Sequence, residues 1–305
     1  MASMKRMVAV ILIASLLIVC GGTCLADDVL SIVCTSFPCY DFVRAVAGDR
    51  AKVQMLIKPG SEVHSFEPTP ADVMAIAGCD LFVYIGGESD TWVVDILDSF
   101  GKAAPKTLRF FDCVETIEAE GEHDHGEHDH EYDEHIWTSP KNAVVMIDAL
   151  CDALCEIDAG HADVYTQNKE AYGAEIAQLD SEIHDIVESA ARREMIFADR
   201  FPFLYFAKEY GIEWHAAFPS CTSESEPSAK TIAELIGKVN QDGIPVIYTL
   251  ELSSGKTAQT IAEETGTKIM AFHSIQNVTE ADFSAGETYV SLMQRNVEAL
   301  REGLN

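Results

Sequence analysis

Short apolar runs alternate with amphipathic segments along the first half of the chain. Four runs have the length and β-branched content of strands: Val29–Thr35, Ala51–Ile57, Leu81–Ile85 and Thr107–Phe111. Helical segments lie between them: Tyr40–Ala47, a segment opened by Thr69-Pro70, and Trp92–Phe100. Strands that are separated by helices indicate βαβ units, so we predict a parallel sheet.

The same alternation returns after residue 193. Strands are predicted at Met195–Ala198, Pro245–Leu250 and Lys268–Phe272, and helices at Phe203–Tyr210, Pro227–Val239, Lys256–Thr265 and Tyr289–Leu300. Between the two halves, Ser139-Pro140 opens one helix and a long helix begins near Asp163. One apolar stripe runs along the long helix with helical spacing: Tyr172, Ile176, Leu179, Ile183 and Ile186.

The pattern therefore predicts an α/β protein with two lobes, each a parallel β-sheet flanked by helices, joined by one long rigid helix. We expect the N-terminal lobe at 27–141, the helical region with the linking helix at 142–192, and the C-terminal lobe at 193–305.

The N-terminus has the pattern of an export signal, predicted at 1–26. Lys5 and Arg6 precede an apolar run that is too short to span a membrane, and small residues before Asp27 offer a cleavage site. Leu17–Cys20 also resembles a lipoprotein box, with a signal that would end at 19. Both outcomes stay open, so the expected location is periplasmic or lipid-anchored to the outer face of the cytoplasmic membrane.

The chain is strongly acidic, with 50 Asp and Glu against 21 Lys and Arg and a net charge of −29. Such a surface attracts cations and repels nucleic acid, so we expect no nucleic-acid partner. Seven of the nine cysteines follow the predicted signal, in spacings that match no zinc knuckle. We expect them to be small buried hydrophobic residues more than disulfide partners.

The stretch EGEHDHGEHDHEYDEHIW, from Glu120 to Trp137, has no apolar periodicity. It lies mostly in a predicted acidic, histidine-rich loop at 118–134. Four of its histidines form a dense cluster of imidazoles: His123, His125, His128 and His130. Such a loop would collect or sense metal, or it is simply a solvated acidic loop.

Polar side chains follow several of the predicted strands. His64, Asp199, Glu251 and His273 each come after a strand, and His135 stands just before a helix. Ligands of parallel α/β sheets bind outside the carboxyl ends of the strands. Imidazoles and carboxylates from both halves would therefore meet there, which suggests a metal held between two lobes.

Five stretches resemble the metal-binding proteins of bacterial ABC importers for zinc and manganese. They are GSEVHSFEPTPADVMAIAGCDLFVYIGGESDTWV, DEHIWTSPKNA, ESEPSAKTIAELI, YTLELSSGKTAQTIAEETG and ETYVSLMQRNVEAL. A histidine-rich acidic loop before HIW is typical of the zinc-handling members. The resemblance implies a monomer that captures Zn²⁺ and delivers it to a membrane permease, and that is not an enzyme.

The resemblance also assigns metal ligands. His64 matches the first metal histidine of the family, in H-S-x-E-P-T-P, and His135 matches the second, in H-I-W-x-S-P. The third position holds Arg200, whose guanidinium cannot bind a cation. Asp199 would replace it, or it is only the ion-pair partner of Arg200. His273 stands where many members have an aspartate, and we hypothesise that it supplies the missing imidazole.

Coordination by His64, His135, His273 and Asp199 would favour Zn²⁺ over Mn²⁺. Glu251 in ELSSGK and Glu67 in HSFEP are expected to support the ligands. A manganese or iron(II) binder of the same class, and a surface metal buffer or adhesin, remain alternatives. A zinc hydrolase with Glu251 as general base is disfavoured because the chain has no H-E-x-x-H motif.

Overall fold

The computed structural model describes residues 29–119, 132–218 and 227–305. The predicted signal, Cys221 and the four loop histidines His123, His125, His128 and His130 lie outside these ranges.

The first sheet has four parallel strands in the order β2-β1-β3-β4. The strands are β1 Leu30–Cys34, β2 Ala51–Met55, β3 Leu81–Tyr84 and β4 Lys106–Arg109. The helices of this lobe are α1 Phe37–Ala47, α2 Pro70–Ala77 and α3 Trp92–Phe100. Thr69 opens α2 as predicted, because its hydroxyl accepts a hydrogen bond from the Asp72 amide in a capping box.

A second parallel sheet has the equivalent order β6-β5-β7-β8. Its strands are β5 Glu194–Phe197, β6 Glu213–Ala216, β7 Val246–Thr249 and β8 Lys268–Ala271. The helices after β5 are α6 Leu204–Tyr210, α7 Ala229–Asp242, α8 Lys256–Thr265, α9 Glu280–Ala285 and α10 Tyr289–Leu304. Two of these elements were not predicted: β6, which is a short edge strand with only alternate residues partly buried, and α9, which has six residues.

Two helices connect the sheets: α4 Pro140–Ile157 and α5 Ala162–Ser189, the latter 28 residues long. The predicted apolar stripe of α5 is buried, and α5 packs against α1, α4 and α10. Its side chains share one hydrophobic core with residues of both sheets. The prediction of two parallel-sheet lobes with a long connecting helix is confirmed, whereas the exact lobe boundaries stay a prediction.

The described cysteines are unpaired, and four of the six are buried, which agrees with the role expected of small hydrophobic residues. Within the described ranges, no helix has the length and apolar content needed to cross a bilayer.

Candidate metal site

His64 lies in the loop that follows β2, and this loop is held by the other lobe. The side-chain amide of Asn277, after β8, donates hydrogen bonds to the carbonyls of Lys58 and Ser61, at 2.8 Å each. Asn277 is buried, so water does not compete strongly for these bonds. The C-terminal lobe therefore fixes the position of a histidine from the N-terminal lobe.

His135 lies where the chain leaves the first lobe, just before a 3₁₀ turn and α4. The Trp137 indole donates a 2.8 Å hydrogen bond to the Ser274 carbonyl, and the Tyr289 hydroxyl donates to the Trp137 carbonyl at 2.9 Å. The Ser139 hydroxyl caps α4. Trp137 thus anchors the segment of His135 against the C-terminal lobe.

His64 and His135 meet, and Glu134 joins them. One ligand atom from each of the three side chains lies within 4.8 Å of the other two. Nε2 of His64 is 3.4 Å from Oε1 of Glu134. A tetrahedral zinc with bonds of about 2.0–2.1 Å places its ligand atoms roughly 3.4 Å apart, so this pair is already spaced for zinc. We call these three residues the central site.

An acid two residues earlier orients each histidine in the same way. Oε1 of Glu62 accepts from the His64 amide and lies 2.8 Å from its Nδ1. Oδ1 of Asp133 accepts from the His135 amide at 2.9 Å and lies 3.1 Å from its Nδ1. With Nδ1 so occupied, Nε2 of both rings is buried: that of His135 has no hydrogen bond in the described part of the chain, and that of His64 faces only the Glu134 carboxylate at 3.4 Å. A free Nε2 with a bonded Nδ1 is the state that metal-binding histidines adopt.

Glu134 reaches the central site because Gly87, after β3, leaves room for it. A Cβ on Gly87 would lie 2.2 Å from Cβ of Glu134. The Ser89 amide donates to Oε2 of Glu134 at 2.7 Å, and the Ser89 hydroxyl donates to Oε1. Gln276, from the C-terminal lobe, donates to Oε1 at 3.3 Å. The carboxylate is thus held from both lobes.

In the metal-free central site, the neighbouring carboxylates favour the protonated form of His64. Burial lowers the pKa of His64, but the carboxylates of Glu134 and Glu62 outweigh it and raise the pKa to about 9. Burial raises the pKa of Glu134, but His64, His135 and hydrogen bonds from Ser89 outweigh it and hold the pKa at about 2. The site therefore favours a positive charge beside Glu134, which a bound cation would supply in place of the proton.

A cleft of about 110 Å³ opens in front of the two histidines, and Asp199, Arg200 and Glu251 line it. Asp199 uses both oxygens inside the C-terminal lobe: Oδ2 accepts from the Thr249 hydroxyl at 3.0 Å, and Oδ1 accepts from the Arg200 amide at 2.9 Å. The structure therefore places Asp199 in the wall of the cleft and not in the group of ligand atoms around His64.

Arg200 faces the central site across the cleft, at the position that the resemblance gives to a third ligand. Its guanidinium lies 3.8 Å from Oε2 of Glu62 and over the Phe218 ring, at 5.9 Å. Arg200 thus balances the carboxylate that orients His64.

The structure does not bring His273 to the central site. Its backbone exchanges hydrogen bonds with the buried Asn296 side chain. Its side chain is buried near Arg295, Asp282 and Glu287, which, after burial, are the groups that shift its pKa. Nor is His273 among the residues that line the cleft, so the hypothesis that it replaces the missing imidazole has no support in the geometry.

The two supporting acids have different surroundings. Glu251 accepts hydrogen bonds from the Ser274 amide and hydroxyl, at 2.9 and 2.7 Å, and so shapes the loop after β8. Glu67 is exposed and lies outside the set of cleft residues.

Glu134, Glu62 and Asp133 were not predicted as site residues. The available signal was local, since His64 and His135 each have an acid two positions before them, and Glu134 directly precedes His135. In a chain with 50 acids, that signal is weak without the fold.

Comparison with known proteins agrees with this geometry. Residues 32–303 match the family described as ZnuA, the periplasmic component A of a zinc-uptake complex. The match spans most of the chain, so the chain belongs to this family, and the family predicted from its motifs is confirmed.

Two relatives and one solved structure illustrate the similarity. The zinc-binding lipoprotein AdcA of Streptococcus pneumoniae is 34% identical over 297 residues, which cover 95% of this chain but 59% of AdcA. The chain thus spans about three-fifths of the length of that relative. The high-affinity zinc uptake system protein ZnuA of Bacillus subtilis is 31% identical, with 91% of this chain and 88% of that protein covered.

The crystal structure of the Zn(II)-bound ZnuA-like domain of Streptococcus pneumoniae AdcA superposes with a TM-score of 0.77 at 32% identity. The superposition covers 90% of this chain and 98% of that domain.

Proposed function

We propose that this protein captures Zn²⁺ outside the cytoplasm at His64, His135 and Glu134, and delivers it to the permease of an ABC importer. The observation that carries the proposal is the convergence of two buried Nε2 atoms and the Glu134 carboxylate: Nε2 of His64 lies 3.4 Å from Oε1 of Glu134, and Nε2 of His135 has no hydrogen bond among the described residues. Orphaned buried nitrogens are costly unless a ligand satisfies them. A cation is the ligand that both imidazoles and a carboxylate accept together.

The donor set suits capture and release. Two imidazoles and one carboxylate are ligands that zinc prefers, and more oxygen ligands would favour manganese. Three protein ligands leave a fourth position open toward the cleft, where Arg200 opposes a further positive charge. Zinc held by three ligands can leave more readily than zinc enclosed by four, as a delivery protein requires.

Further parts of the proposal rest on family membership, on the relatives' names and on the sequence motifs. The expected partner is the membrane permease of the importer, which an uptake component needs. The protein works as a monomer, and it binds the metal without catalysing a reaction. Export follows from the predicted signal, and the exported protein is either periplasmic or lipid-anchored at Cys20. The loop histidines His123, His125, His128 and His130 collect zinc for the central site.

Metal titration of the metal-free protein tests the proposal. We expect one tight Zn²⁺ per chain in competition with a chelator, weaker Mn²⁺ binding, and loss of the tight site in both His64→Ala and His135→Ala. His215→Ala is the matched control, because His215 is an exposed histidine that also pairs with a carboxylate, Glu194, at 2.9 Å. Tight zinc binding that survives His135→Ala would overturn the assignment.

Three further experiments separate the alternative functions. Deleting residues 121–130 should spare the tight site and remove weak ones; loss of the tight site would make the loop the true site. If the protein bound Mn²⁺ or Fe²⁺ more tightly than Zn²⁺, the proposed transported metal would be manganese or iron and not zinc. Normal zinc uptake in cells that lack the protein would favour a surface metal buffer or adhesin over a transport component.

A further inference from the structure

A second group of metal-ligating side chains lies where the linking helix meets the C-terminal lobe. Asp180 and His184 belong to α5, and Glu209 belongs to α6. One ligand atom from each lies within 4.8 Å of the other two. None of the three lines the cleft of the central site. We call this group the helix-junction site.

The helix-junction site is preformed by its own elements. Asp180 and His184 are four residues apart on α5, so they project from one face of the helix. The Tyr210 hydroxyl donates a 2.7 Å hydrogen bond to Oδ1 of Asp180. The Tyr210 ring packs edge-on against the His184 imidazole, with centroids 4.9 Å apart. One tyrosine of α6 thus orients both ligands of α5.

Glu209 carries the second observation, because its carboxylate already faces a cation. The Glu209 side chain is 8% exposed, and its Oε1 is buried. Nζ of Lys141 is an ion-pair neighbour of Oε1, at 2.9 Å, and the Lys141 side chain is 61% exposed. The Ser139 hydroxyl donates to the other oxygen. The exposed ammonium of Lys141 therefore occupies a place that a metal ion could take.

We propose that Asp180, His184 and Glu209 form a second zinc site, which a divalent cation enters by displacing Lys141. His184 is about half exposed, so the cation has direct access. The site is weaker than the central site, because Lys141 competes and one ligand is solvated. Bound zinc would join α5 to α6, and so connect the linking helix to the C-terminal lobe. The inference does not depend on the central site.

Zinc titration of the full chain tests the helix-junction site. The four loop histidines are first replaced by asparagine, and one equivalent of Zn²⁺ is added to fill any tight site. A second equivalent of Zn²⁺ should then bind with a dissociation constant in the micromolar range and raise the melting temperature of the protein. His184→Ala should weaken this second binding at least tenfold and remove the rise, and Lys141→Gln should tighten it severalfold.

The controls separate this site from general histidine binding and from the proposed function. His215→Ala should leave the second binding unchanged, since His215 has a carboxylate neighbour but belongs to no three-ligand group in the described residues. Second binding that persists in His184→Ala, or that is absent even in Lys141→Gln, would overturn the inference. Loss of only the tight zinc in His135→Ala, with the second site retained, would show that the two sites are independent.

Discussion

At the scale of single residues, ligand orientation depends on the acid two positions before each histidine. Glu62 and Asp133 both accept from a histidine amide and approach its Nδ1. The hydrogen bond from the histidine amide holds the acid in place, and the acid orients the imidazole ring, so the metal-free protein already directs Nε2 of both rings to the central site. Such preorganisation lowers the ordering cost of binding.

Gly87 is the residue whose substitution tests the placement of Glu134. Gly87→Ala would put a methyl group 2.2 Å from Cβ of Glu134, so the carboxylate must move. We expect zinc affinity to fall about tenfold or more, as for lost supporting contacts around a metal. Isothermal titration against a chelator measures this. Gly237→Ala is the control, since its added Cβ meets nothing within 4 Å; equal affinities in the two variants would contradict the prediction.

Arg200 tests whether the cleft can accept a further ligand. Arg200→His removes a positive charge and offers an imidazole at the position that the motif resemblance gives to a third ligand. We expect zinc binding to tighten by about tenfold or more, since each 1.4 kcal/mol is a factor of ten. Arg200→Gln should give only the electrostatic part of the gain. The same competition assay applies, and an unchanged affinity in the histidine variant would show that position 200 does not reach the metal.

His273 should affect folding stability and not zinc binding. Burial, with help from Arg295, lowers its pKa in the folded state, whereas the unfolded value is about 6.5. The unfolded chain therefore binds the proton first, and stability falls as pH drops from about 6.5 through the lower folded pKa.

The variant His273→Gln should lose part of that decline. Urea unfolding of both metal-free proteins at about pH 7.5 and about pH 5.5 measures it, on either side of the unfolded pKa. A tenfold drop in zinc affinity in this variant would restore His273 as a ligand.

At the scale of elements, the linking helix α5 is stabilised by its buried stripe. Its N-terminal half packs on α1 and α4, and it also packs on α10. Asp41 of α1 accepts hydrogen bonds from the Tyr172 hydroxyl of α5 at 2.5 Å and from the Tyr289 amide of α10 at 2.8 Å. Three helices thus share one buried carboxylate as well as an apolar core.

Ile176 tests the contribution of that stripe. It is fully buried, so Ile176→Ala should lower the free energy of unfolding by about 2–5 kcal/mol, through lost burial and a residual cavity. Glu175→Ala, one residue away on the exposed face, should change it by less than about 0.5 kcal/mol. Urea denaturation followed by circular dichroism compares them. Similar midpoints for the two variants would mean that α5 is not part of the cooperative core.

At the scale of the whole molecule, the high negative charge has two opposing effects. The chain carries a net charge of −29, which raises the local concentration of cations and also strains the folded state by self-repulsion. The central site lies between two lobes of this acidic body, where segments from both lobes hold its residues.

Salt should therefore stabilise the metal-free protein. Raising NaCl from about 10 mM to about 300 mM shortens the Debye length from roughly 30 Å to below 8 Å and weakens the repulsion. We expect a melting temperature higher by a few degrees, where about 1 kcal/mol corresponds to roughly 2–4 °C. Differential scanning calorimetry in the presence of a chelator measures this. A lower melting temperature at high salt would mean that attractive ion pairs dominate.

The sequence by itself determined the fold class and predicted two of the proposed ligands. Strand-length apolar runs and the stripe of α5 are local patterns, because backbone periodicity decides which side chains share a face. His64 and His135 stand in motifs whose flanking residues, such as Trp137 and Ser139, build the local structure that holds them. The short strand β6 was not predicted from the sequence. It has only four residues, and two of them are exposed, so it shows no apolar pattern long enough to indicate a strand.

Only the tertiary structure decided which other residues meet the histidines. Glu134 reaches the central site because Gly87, from a different strand end, leaves space for it. His273 follows a strand end like the other candidates, yet it is buried and does not line the cleft. Which way a side chain turns at a strand end depends on packing between distant segments, and no spacing along the chain encodes that contact.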